Sequence, residues 1–212
     1  MLYCALVMKV PRKTSPYPRE LFVCLPTRDA RALVHTVIKL MELAMSFEEP
    51  HGVYWSQYGN IPRARNALLY DVRTRVGENR DRAWCLWVDS DIYIHDESLP
   101  VIREEIIKSW DTGIGWTAHY PMISGDSHLI MTKDLPADFT PNVKADKIDK
   151  LRDGTKVPMC GFGCLFIPLD LKYEFYTDRW GEDVYYWHDH PDEFVCYRKR
   201  IKLSHQKSVF LR

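Results

Sequence analysis

Apolar and polar residues alternate along the chain in blocks that predict strands and helices in turn. An apolar strand over residues 20–25 stops at Pro26 and opens into a polar turn, and the amphipathic run that follows over 30–47 predicts a helix. A second strand over 52–55 precedes a helix from about 62 to 76, which carries proline in its first turn. We therefore expect the first half of the chain to repeat a strand-loop-helix unit.

The alternation continues through the middle of the chain. A strand before Asp89, a helix over 98–110 and a strand within 112–120 follow in order. Repeated units of this kind predict an α/β fold, in which a mainly parallel central sheet carries helices on both faces. We expect a single domain over residues 20–212, preceded by a short strand or arm over 1–19.

The pattern fails over residues 121–158, where Asp, Lys and Pro are frequent and periodicity is weak. A loop of that length in a compact domain is typically a lid or an excursion that binds an acceptor. It divides the domain into a first half over 20–118 and a second half over 119–212.

The composition indicates a folded protein with a hydrophobic core and no net charge that would attract a polyanion. Hydrophobic residues make up 46% and aromatic residues 13% of the chain, which argues against disorder. The 29 basic and 29 acidic residues balance, so no net field recruits nucleic acid. No run approaches the roughly 20 apolar residues of a membrane span, and residues 1–10 lack the features of a signal peptide. We expect a cytoplasmic protein with no transmembrane segment.

The six cysteines lie mostly in apolar runs and form no CxxC pair, which favours buried thiols in a reducing compartment. Cys160 and Cys164 bracket Gly-Phe-Gly, so a disulfide or half of a zinc site between them stays open as an alternative. A second cysteine pair at metal-binding spacing is missing from the sequence.

The run WCLWVDSDIYIHD, residues 84–96, carries the candidate chemistry. An apolar strand ends in Asp89-Ser90-Asp91 and then resumes. Two carboxylates one residue apart are presented together where a strand turns out of its sheet, and hard ions such as Mg²⁺ or Mn²⁺ prefer such oxygens. Taken alone, such a tripeptide is more often a solvated acidic turn.

A second polar loop follows the first predicted strand, at Thr27, Arg28 and Asp29. In parallel sheets, ligands bind beyond the carboxyl ends of the strands. We therefore expect this loop and Asp89-Ser90-Asp91 to converge on one edge of the sheet.

The second predicted helix begins with candidate anion-binding residues. Arg63, Arg65 and Asn66 lie in its first turn or so, where unpaired backbone N–H groups and the helix dipole favour an anion. Arginine adds a bidentate fork for phosphate. The alternative is that these arginines pair with Asp71 or Glu78 at the surface.

Three features complete the candidate site. Gly161 and Gly163, in the run GFGCLFIP, permit a ligand to approach the backbone closely. Glu182 and Asp183 begin a predicted helix, where a carboxylate either accepts a proton from an acceptor hydroxyl or only caps the helix. His205 offers a nitrogen ligand that Mn²⁺ tolerates, although a lone histidine is more often structural or exposed.

The order of these pieces resembles the GT-A family of nucleotide-sugar glycosyltransferases, particularly its compact family-2-like members. Asp89-Ser90-Asp91 resembles the DxD motif, GFGCLF the glycine-rich acceptor-side loop, GED the xED motif and His205 the C-terminal metal-binding histidine. The resemblance covers about residues 21–205. It implies a GT-A, Rossmann-like single domain with hexosyltransferase activity that depends on Mn²⁺ or Mg²⁺.

The resemblance also implies a role for each matched residue. Asp89 would contact the ribose or the metal and its water, Asp91 would bind the metal that bridges the donor diphosphate, and His205 would complete the protein ligands. Asp183 would act as the base in an inverting displacement, with Glu182 as its rival. The other donor-binding positions would be Thr27, Arg28, Asp29, Arg63, Arg65, Asn66, Gly161 and Gly163.

By the same resemblance the first half of the domain binds the nucleotide sugar and the second half the acceptor. The loop over 121–158 would close over the sugar, with Trp116 and Tyr120 beside it. The family favours a UDP-sugar as donor, with guanosine as the second choice.

Several alternatives stay open at the level of sequence. The acceptor is a glycan, a protein or a lipid, the outcome is inverting or retaining, and the oligomeric state is undetermined. His188-Asp189-His190 is a competing metal cluster. A metal-dependent phosphoester or sugar-phosphate hydrolase, or a non-catalytic binding module on a GT-A scaffold, would carry the same residues.

Overall fold

The strands and helices follow one another in the predicted order. The computed structural model describes residues 15–27, 32, 34–47, 52–57, 59–77, 80–118, 129–130, 151–177 and 181–205. The described helices are α1 (Val34–Met45), α2 (Ile61–Val76), α3 (Ser98–Thr112) and α4 (Glu182–Asp189). The described strands are β1 (Phe22–Thr27), β2 (Gly52–Gln57), β3 (Arg82–Val88), β4 (Ile92–Ile94), β5 (Trp116–Ala118), β6 (Leu129–Ile130), β7 (Lys156–Val157), β8 (Met159–Cys160), β9 (Cys164–Asp170), β10 (Val195–Arg198) and β11 (Leu203–His205).

Within the described residues, seven strands form the central sheet in the order β2-β1-β3-β9-β5-β10-β7. The strands β2, β1 and β3 are parallel, and so are β5 and β10. The strand β9 is antiparallel to both of its neighbours, and β7 is antiparallel to β10. The α/β fold is confirmed, and the sheet is mixed: most of its strands run one way, with β9 and β7 reversed.

The sheet is packed on both faces, because successive side chains of a strand point to opposite sides. Val23 and Leu25 of β1 join the core on one face, and Phe22 and Cys24 join the core on the other. Helices α1 and α3 cover the first face through Leu40, Leu43, Ile102 and Ile106. Helices α2 and α4 cover the opposite face through Leu68, Val72, Val184 and Trp187. The predicted two-sided covering of the sheet is confirmed.

Trp116 belongs to the core and not to a sugar-binding cleft. Its side chain is fully buried, and its ring centroid lies 5.9 Å from that of Phe166. It begins β5 and lies in the core on the face of the sheet that α1 and α3 cover, so the ring is shielded from a ligand. The predicted position beside the sugar is therefore wrong for Trp116, while Tyr120 lies outside the described residues.

Pro26 does not end the first strand, contrary to the prediction. The strand β1 continues to Thr27 and stays paired with β2, with Pro26 opposite Ser56. Its pairing with β3 ends earlier, at Cys24. Because β1 has a single neighbouring strand at Pro26, the missing N–H group is tolerated there.

The predicted loop over 121–158 is only partly described, and its last part is ordered in the sheet. Leu129–Ile130 pairs with β8, and Lys156–Val157 forms the edge strand β7 beside β10. Strands of two residues are too short to give an alternating pattern in the sequence. The lid predicted over 121–158 thus ends before residue 156, and residues 121–128 and 131–150 lie outside the description.

The predicted N-terminal arm is described from residue 15 onward. The Ser15 N–H donates to the carbonyl of Trp110 at 3.1 Å, and the Trp84 indole N–H donates to the Ser15 hydroxyl at 3.2 Å. This segment therefore packs against α3 and β3.

The described cysteines are free thiols, four of them buried, as the sequence predicted. Burial raises the pKa of Cys160 and of Cys164 well above the ordinary thiol value. A disulfide between these two residues, left open by the sequence, is absent. Over the described part of the chain, no helix has both the length and the apolar character needed to cross a membrane.

Candidate functional site

The two aspartates of the DSD motif lie in a tight turn between β3 and β4, at the carboxyl end of β3. The Ile92 N–H donates to the carbonyl of Asp89 at 3.1 Å, which closes the turn. The Asp89 N–H donates to the carbonyl of Gly163 at 3.0 Å. This hydrogen bond joins the motif directly to the glycine-rich loop, at the sheet edge where ligands of such folds bind.

His205 reaches Asp91 through strand pairing. The strands β4 and β11 are antiparallel, and their register places His205 opposite Ile92. The His205 Nε2 atom lies 3.5 Å from the Asp91 Oδ1 atom. The histidine side chain is 9% exposed and the aspartate side chain 42% exposed, so the pair opens toward solvent on the aspartate side.

Helix α1 fixes the position of β4. The Thr36 hydroxyl donates to the carbonyl of Ile92, and His35 Nε2 lies 2.9 Å from the carbonyl oxygen of Ile94. The turn that carries the two aspartates is therefore held from both of its ends.

Arg65 occupies the centre of the site. Its Nη2 atom lies 3.4 Å from Asp89 Oδ1, and its Nη1 atom lies 3.3 Å from Glu182 Oε1. The guanidinium carbon lies 4.8 Å from the ring centroid of Phe162 and 5.8 Å from those of Trp87 and Phe175. With 3% of its side chain exposed, Arg65 is enclosed by two carboxylates and aromatic rings.

Glu182 and Asp183 begin helix α4, as the sequence predicted. Asp183 Oδ1 accepts a hydrogen bond from the Val184 N–H at 2.9 Å, so one carboxylate oxygen serves the helix end. Burial, and then the negative charge of Glu182, raises the pKa of Asp183 to about 6. A carboxylate with a pKa in that range is suited to general base catalysis near neutral pH.

The site holds more negative than positive charge. We name Asp89, Asp91, Glu182 and Asp183 the acidic cluster. Within the part of the chain that the structure describes, Arg65 is the arginine that pairs with this cluster, through Asp89 and Glu182. Burial raises the pKa of Asp89 above its ordinary value, Arg65 opposes this shift, and the charges of Asp91 and Glu182 add to it. Crowding of like charges at a strand end is typical of sites that bind a cation or move a proton.

The donor atoms suit a hard divalent cation only if a ligand completes the coordination. Asp91 and His205 supply an oxygen and a nitrogen close to each other, the donor types found at Mn²⁺ sites. Among the described residues, no three His, Cys, Asp or Glu side chains lie close enough together to hold a metal on their own. The residues therefore fit a metal that is held partly by the oxygens of a bound diphosphate.

Thr27 lies at the carboxyl end of β1, beside a cavity of about 260 Å³. Its hydroxyl donates to the carbonyl of Ser56 at 2.7 Å. Trp55, on the neighbouring strand β2, is 63% exposed and offers an aromatic face to the cavity. The cavity is lined by Leu25, Thr27, Val34, Val37, Ile38 and Trp55. Arg28 and Asp29, predicted to lie here, are outside the described residues.

The remaining predicted donor-binding residues have different surroundings. Asn66 uses its amide to hold Phe175, donating to its carbonyl at 2.9 Å and accepting from its N–H at 2.7 Å. Arg63 is exposed in the first turn of α2, and no contact within the described residues joins it to the acidic cluster. Gly161 and Gly163 are buried, and only Gly163 has a described hydrogen bond to the DSD turn.

His188 and His190 lie away from the two aspartates. His190 stacks on Tyr186 at 4.2 Å between ring centroids, and its Nε2 atom lies 3.6 Å from Asp170 Oδ2. Asp170 pairs with Arg82 at the start of β3, whereas the DSD turn follows the end of that strand. The seven residues of β3 span roughly 20 Å, so the geometry favours His205 as the histidine beside Asp91.

Sequence reasoning missed the aromatic cage of Trp87, Phe162 and Phe175 around Arg65. A signal for the burial of Arg65 was present in α2. Arg65 precedes Leu68, Leu69 and Val72 by three, four and seven residues, which places it on the apolar face of the helix.

No family model matches this sequence, and no curated protein matches it. In fold, the chain is similar to the solved structure of A197 from STIV, with a TM-score of 0.52 and 15% sequence identity over 89% of this chain and 86% of that chain. At this identity the likeness extends to the fold alone. The fold and the position of the acidic residues define a mixed α/β protein with a group of carboxylates at the carboxyl ends of its strands.

Proposed function

We propose that this protein is a metal-dependent glycosyltransferase of the GT-A type, which moves a sugar from a nucleoside-diphosphate sugar, with UDP as the nucleotide, to an acceptor hydroxyl. One observation carries the proposal. Carboxylates from two distant segments, the DSD turn and the start of α4, meet at the carboxyl edge of the sheet around Arg65, with His205 beside Asp91. A transferase needs this combination of a cation-binding acid and a second, proton-accepting acid at one place.

The cavity beside Thr27 is suited to the nucleoside of the donor. It lies at the carboxyl end of β1, the strand next to β3, so a nucleoside there directs its diphosphate along the same sheet edge toward Asp91. The apolar lining and the exposed face of Trp55 suit a flat base. Among the described residues, Thr27 supplies the adjacent hydroxyl.

The diphosphate would meet Asp91 and His205 through a divalent cation. The cation supplies neutralisation of the charge that develops on the leaving phosphate as the bond to the sugar breaks. Asp91 is the more exposed of the two DSD carboxylates, 42% against 30% for Asp89, which suits it to bind the ion.

Asp183 is the proposed base for the acceptor hydroxyl. Glu182 is paired with Arg65, whereas one oxygen of Asp183 serves the helix end and the other is left for a proton. With a pKa of about 6, Asp183 is mostly ionised at neutral pH and able to accept that proton. This arrangement favours Asp183 over its rival Glu182.

A calorimetric titration with UDP and with GDP, each with and without Mn²⁺, tests the proposal. We expect UDP to bind in a Mn²⁺-dependent manner, and Asp91→Asn to remove that dependence. The matched control is Asp81→Asn, because Asp81 is an exposed acid that precedes β3 at the opposite edge.

The result that overturns the proposal is an absence of binding for both nucleotides when Mn²⁺ is present. Hydrolysis of simple phosphate esters by such a protein would point instead to the metal-dependent hydrolase. Binding of GDP in place of UDP would support transferase activity but would change the proposed donor to a GDP-sugar.

A further inference from the structure

Arg65 connects the two halves of the proposed site. Asp89 belongs to the strand end that faces the donor, and Glu182 begins the helix that faces the acceptor. The Arg65 guanidinium lies 3.4 Å from the first and 3.3 Å from the second. These carboxylates are far apart in the sequence, and Arg65 forms an ion pair with both of them.

The surroundings of Arg65 exclude a simple phosphate contact. Its side chain is 3% exposed, and Phe162 lies against the guanidinium at 4.8 Å, so a ligand cannot reach it without displacing the ring. The Nε and Nη1 atoms are buried without hydrogen-bond geometry to any described acceptor. The guanidinium is held by a hydrogen bond from Nη2 to Asp89, by its ion pair with Glu182 and by the surrounding rings. Because an unpaired buried charge is costly, both carboxylates depend on the same guanidinium.

We propose that Arg65 is a positioning residue that couples the acceptor-side carboxylate Glu182 to the donor-side carboxylate Asp89. This inference rests on the proposed function. Arginine suits the task because its planar fork holds two carboxylates in fixed directions, whereas the ammonium group of lysine acts as a single point charge. When Glu182 is replaced by glutamine, Asp89 is the remaining charged partner of the pair, and the guanidinium holds that carboxylate away from the donor.

The test is a double-mutant cycle on the affinity for UDP in the presence of Mn²⁺, which needs neither the sugar nor the acceptor. In the wild-type background, Glu182→Gln is expected to weaken UDP binding by about three- to tenfold. In the Arg65→Gln background, the same change is expected to have no effect on UDP binding, because the connecting cation is gone. Arg73→Gln, an exposed arginine in the last turn of the same helix, is the matched control background.

Equal effects of Glu182→Gln in the wild-type and Arg65→Gln backgrounds would overturn the coupling role. If Arg65 is merely structural, its replacement lowers the stability of the protein. The effects of Arg65→Gln and Glu182→Gln on UDP affinity are then additive. If Arg65→Gln does not fold, Arg65→Lys takes its place in the cycle. It keeps the positive charge, and it is expected to lose the coupling because it holds one carboxylate at a time.

The cycle separates this inference from the proposed function. Failure of wild-type protein to bind UDP with Mn²⁺ contradicts the transferase. Normal binding by the wild type together with an additive cycle contradicts only the role of Arg65.

Discussion

Two clusters of arginine and carboxylate groups lie at strand ends of the sheet, each around one buried side chain, and they are built in opposite proportions. After β10, Glu105 is held by two arginines, with Arg198 Nε at 2.5 Å and Arg200 Nη2 at 2.8 Å from its oxygens. After β3, one arginine is shared by two carboxylates at 3.3 and 3.4 Å, with further acids beside them. The first cluster is tight and rich in positive charge, and the second is loose and rich in negative charge.

The difference separates a structural ion pair from a candidate site. A buried carboxylate with two arginine partners needs nothing further, so Glu105 is expected to hold α3 against the end of β10. Burial, and then repulsion by neighbouring carboxylates, raises the pKa of Asp89 and of Asp183. Carboxylates with raised pKa values cluster at functional sites, so the second cluster is the candidate site of this protein.

The largest expected effect is on turnover in the acidic cluster. Asp183→Asn removes the proposed base and is expected to lower sugar transfer by about 10²- to 10⁴-fold. The measurement is release of UDP from a UDP-sugar in the presence of acceptor. Affinity for UDP with Mn²⁺ should stay unchanged, and a larger loss of transfer in Glu182→Gln than in Asp183→Asn would move the base to Glu182.

The two clusters should also respond in opposite directions when a carboxylate is neutralised. Glu105→Gln leaves two arginines without their charged partner and is expected to lower the free energy of unfolding by about 3 kcal/mol. Urea denaturation at pH 8 measures the change, and UDP affinity of the folded protein should not change.

Asp183→Asn is the contrasting variant in that experiment. The folded state raises the pKa of Asp183, so ionisation of this group costs stability as the pH rises through 6. Asparagine avoids that cost and is expected to raise the free energy of unfolding at pH 8 by about 1 kcal/mol or more. Destabilisation by both variants would mean that the two clusters are equally structural.

A smaller effect sharpens the assignment of the metal ligands. Asp91→Asn is expected to weaken Mn²⁺-dependent binding of UDP by tenfold or more, about 1.4 kcal/mol. His205→Ala should weaken it less, because a water molecule replaces a neutral ligand more readily than a charged one. His188→Ala is the control, because this histidine is 64% exposed and its hydrogen-bond partner is Asp189, outside the acidic cluster. The assignment fails if His188→Ala has the larger effect.

The last prediction concerns the decrease in the rate of sugar transfer at acidic pH. Because the proposed base must be ionised, turnover should fall as the pH decreases through about 6, and at pH 5 about a tenth of the maximal rate should remain. The Glu105→Gln variant should show the same decrease. A rate that is flat between pH 5 and pH 7 would exclude Asp183 as the titrating base.

Local patterns predicted most of the elements, because periodicity and turn residues act over a few positions. The helix beginning at Glu182 and the strand ending before Asp89 are examples. The position of His205 depends on a pairing between β4 and β11, which are separated by more than a hundred residues. No local sequence pattern specifies the register of that pairing. The proximity of His205 to Asp91 is therefore seen only in the structure.

The prediction that Arg65 binds the donor directly illustrates a second limit of sequence-based inference. A basic residue near a helix start suggests an anion site, but its environment is decided by the strands behind it. The ring of Phe162 comes from the glycine-rich loop and encloses Arg65, while Arg63 stays exposed two residues earlier. The helix period places Arg65 on the buried face of α2, but the side chains that enclose it there are set by tertiary packing.

The insertion of β9 between β3 and β5 has a consequence for how the chain assembles. Although β5 is complete at residue 118, it reaches β3 only through β9, which ends at residue 170. During synthesis, the nascent chain must hold β3 with one exposed edge until more than fifty further residues have been added. A fragment ending at residue 118 therefore lacks the strand that joins β5 to β3, and we do not expect the two halves predicted from the sequence to fold independently.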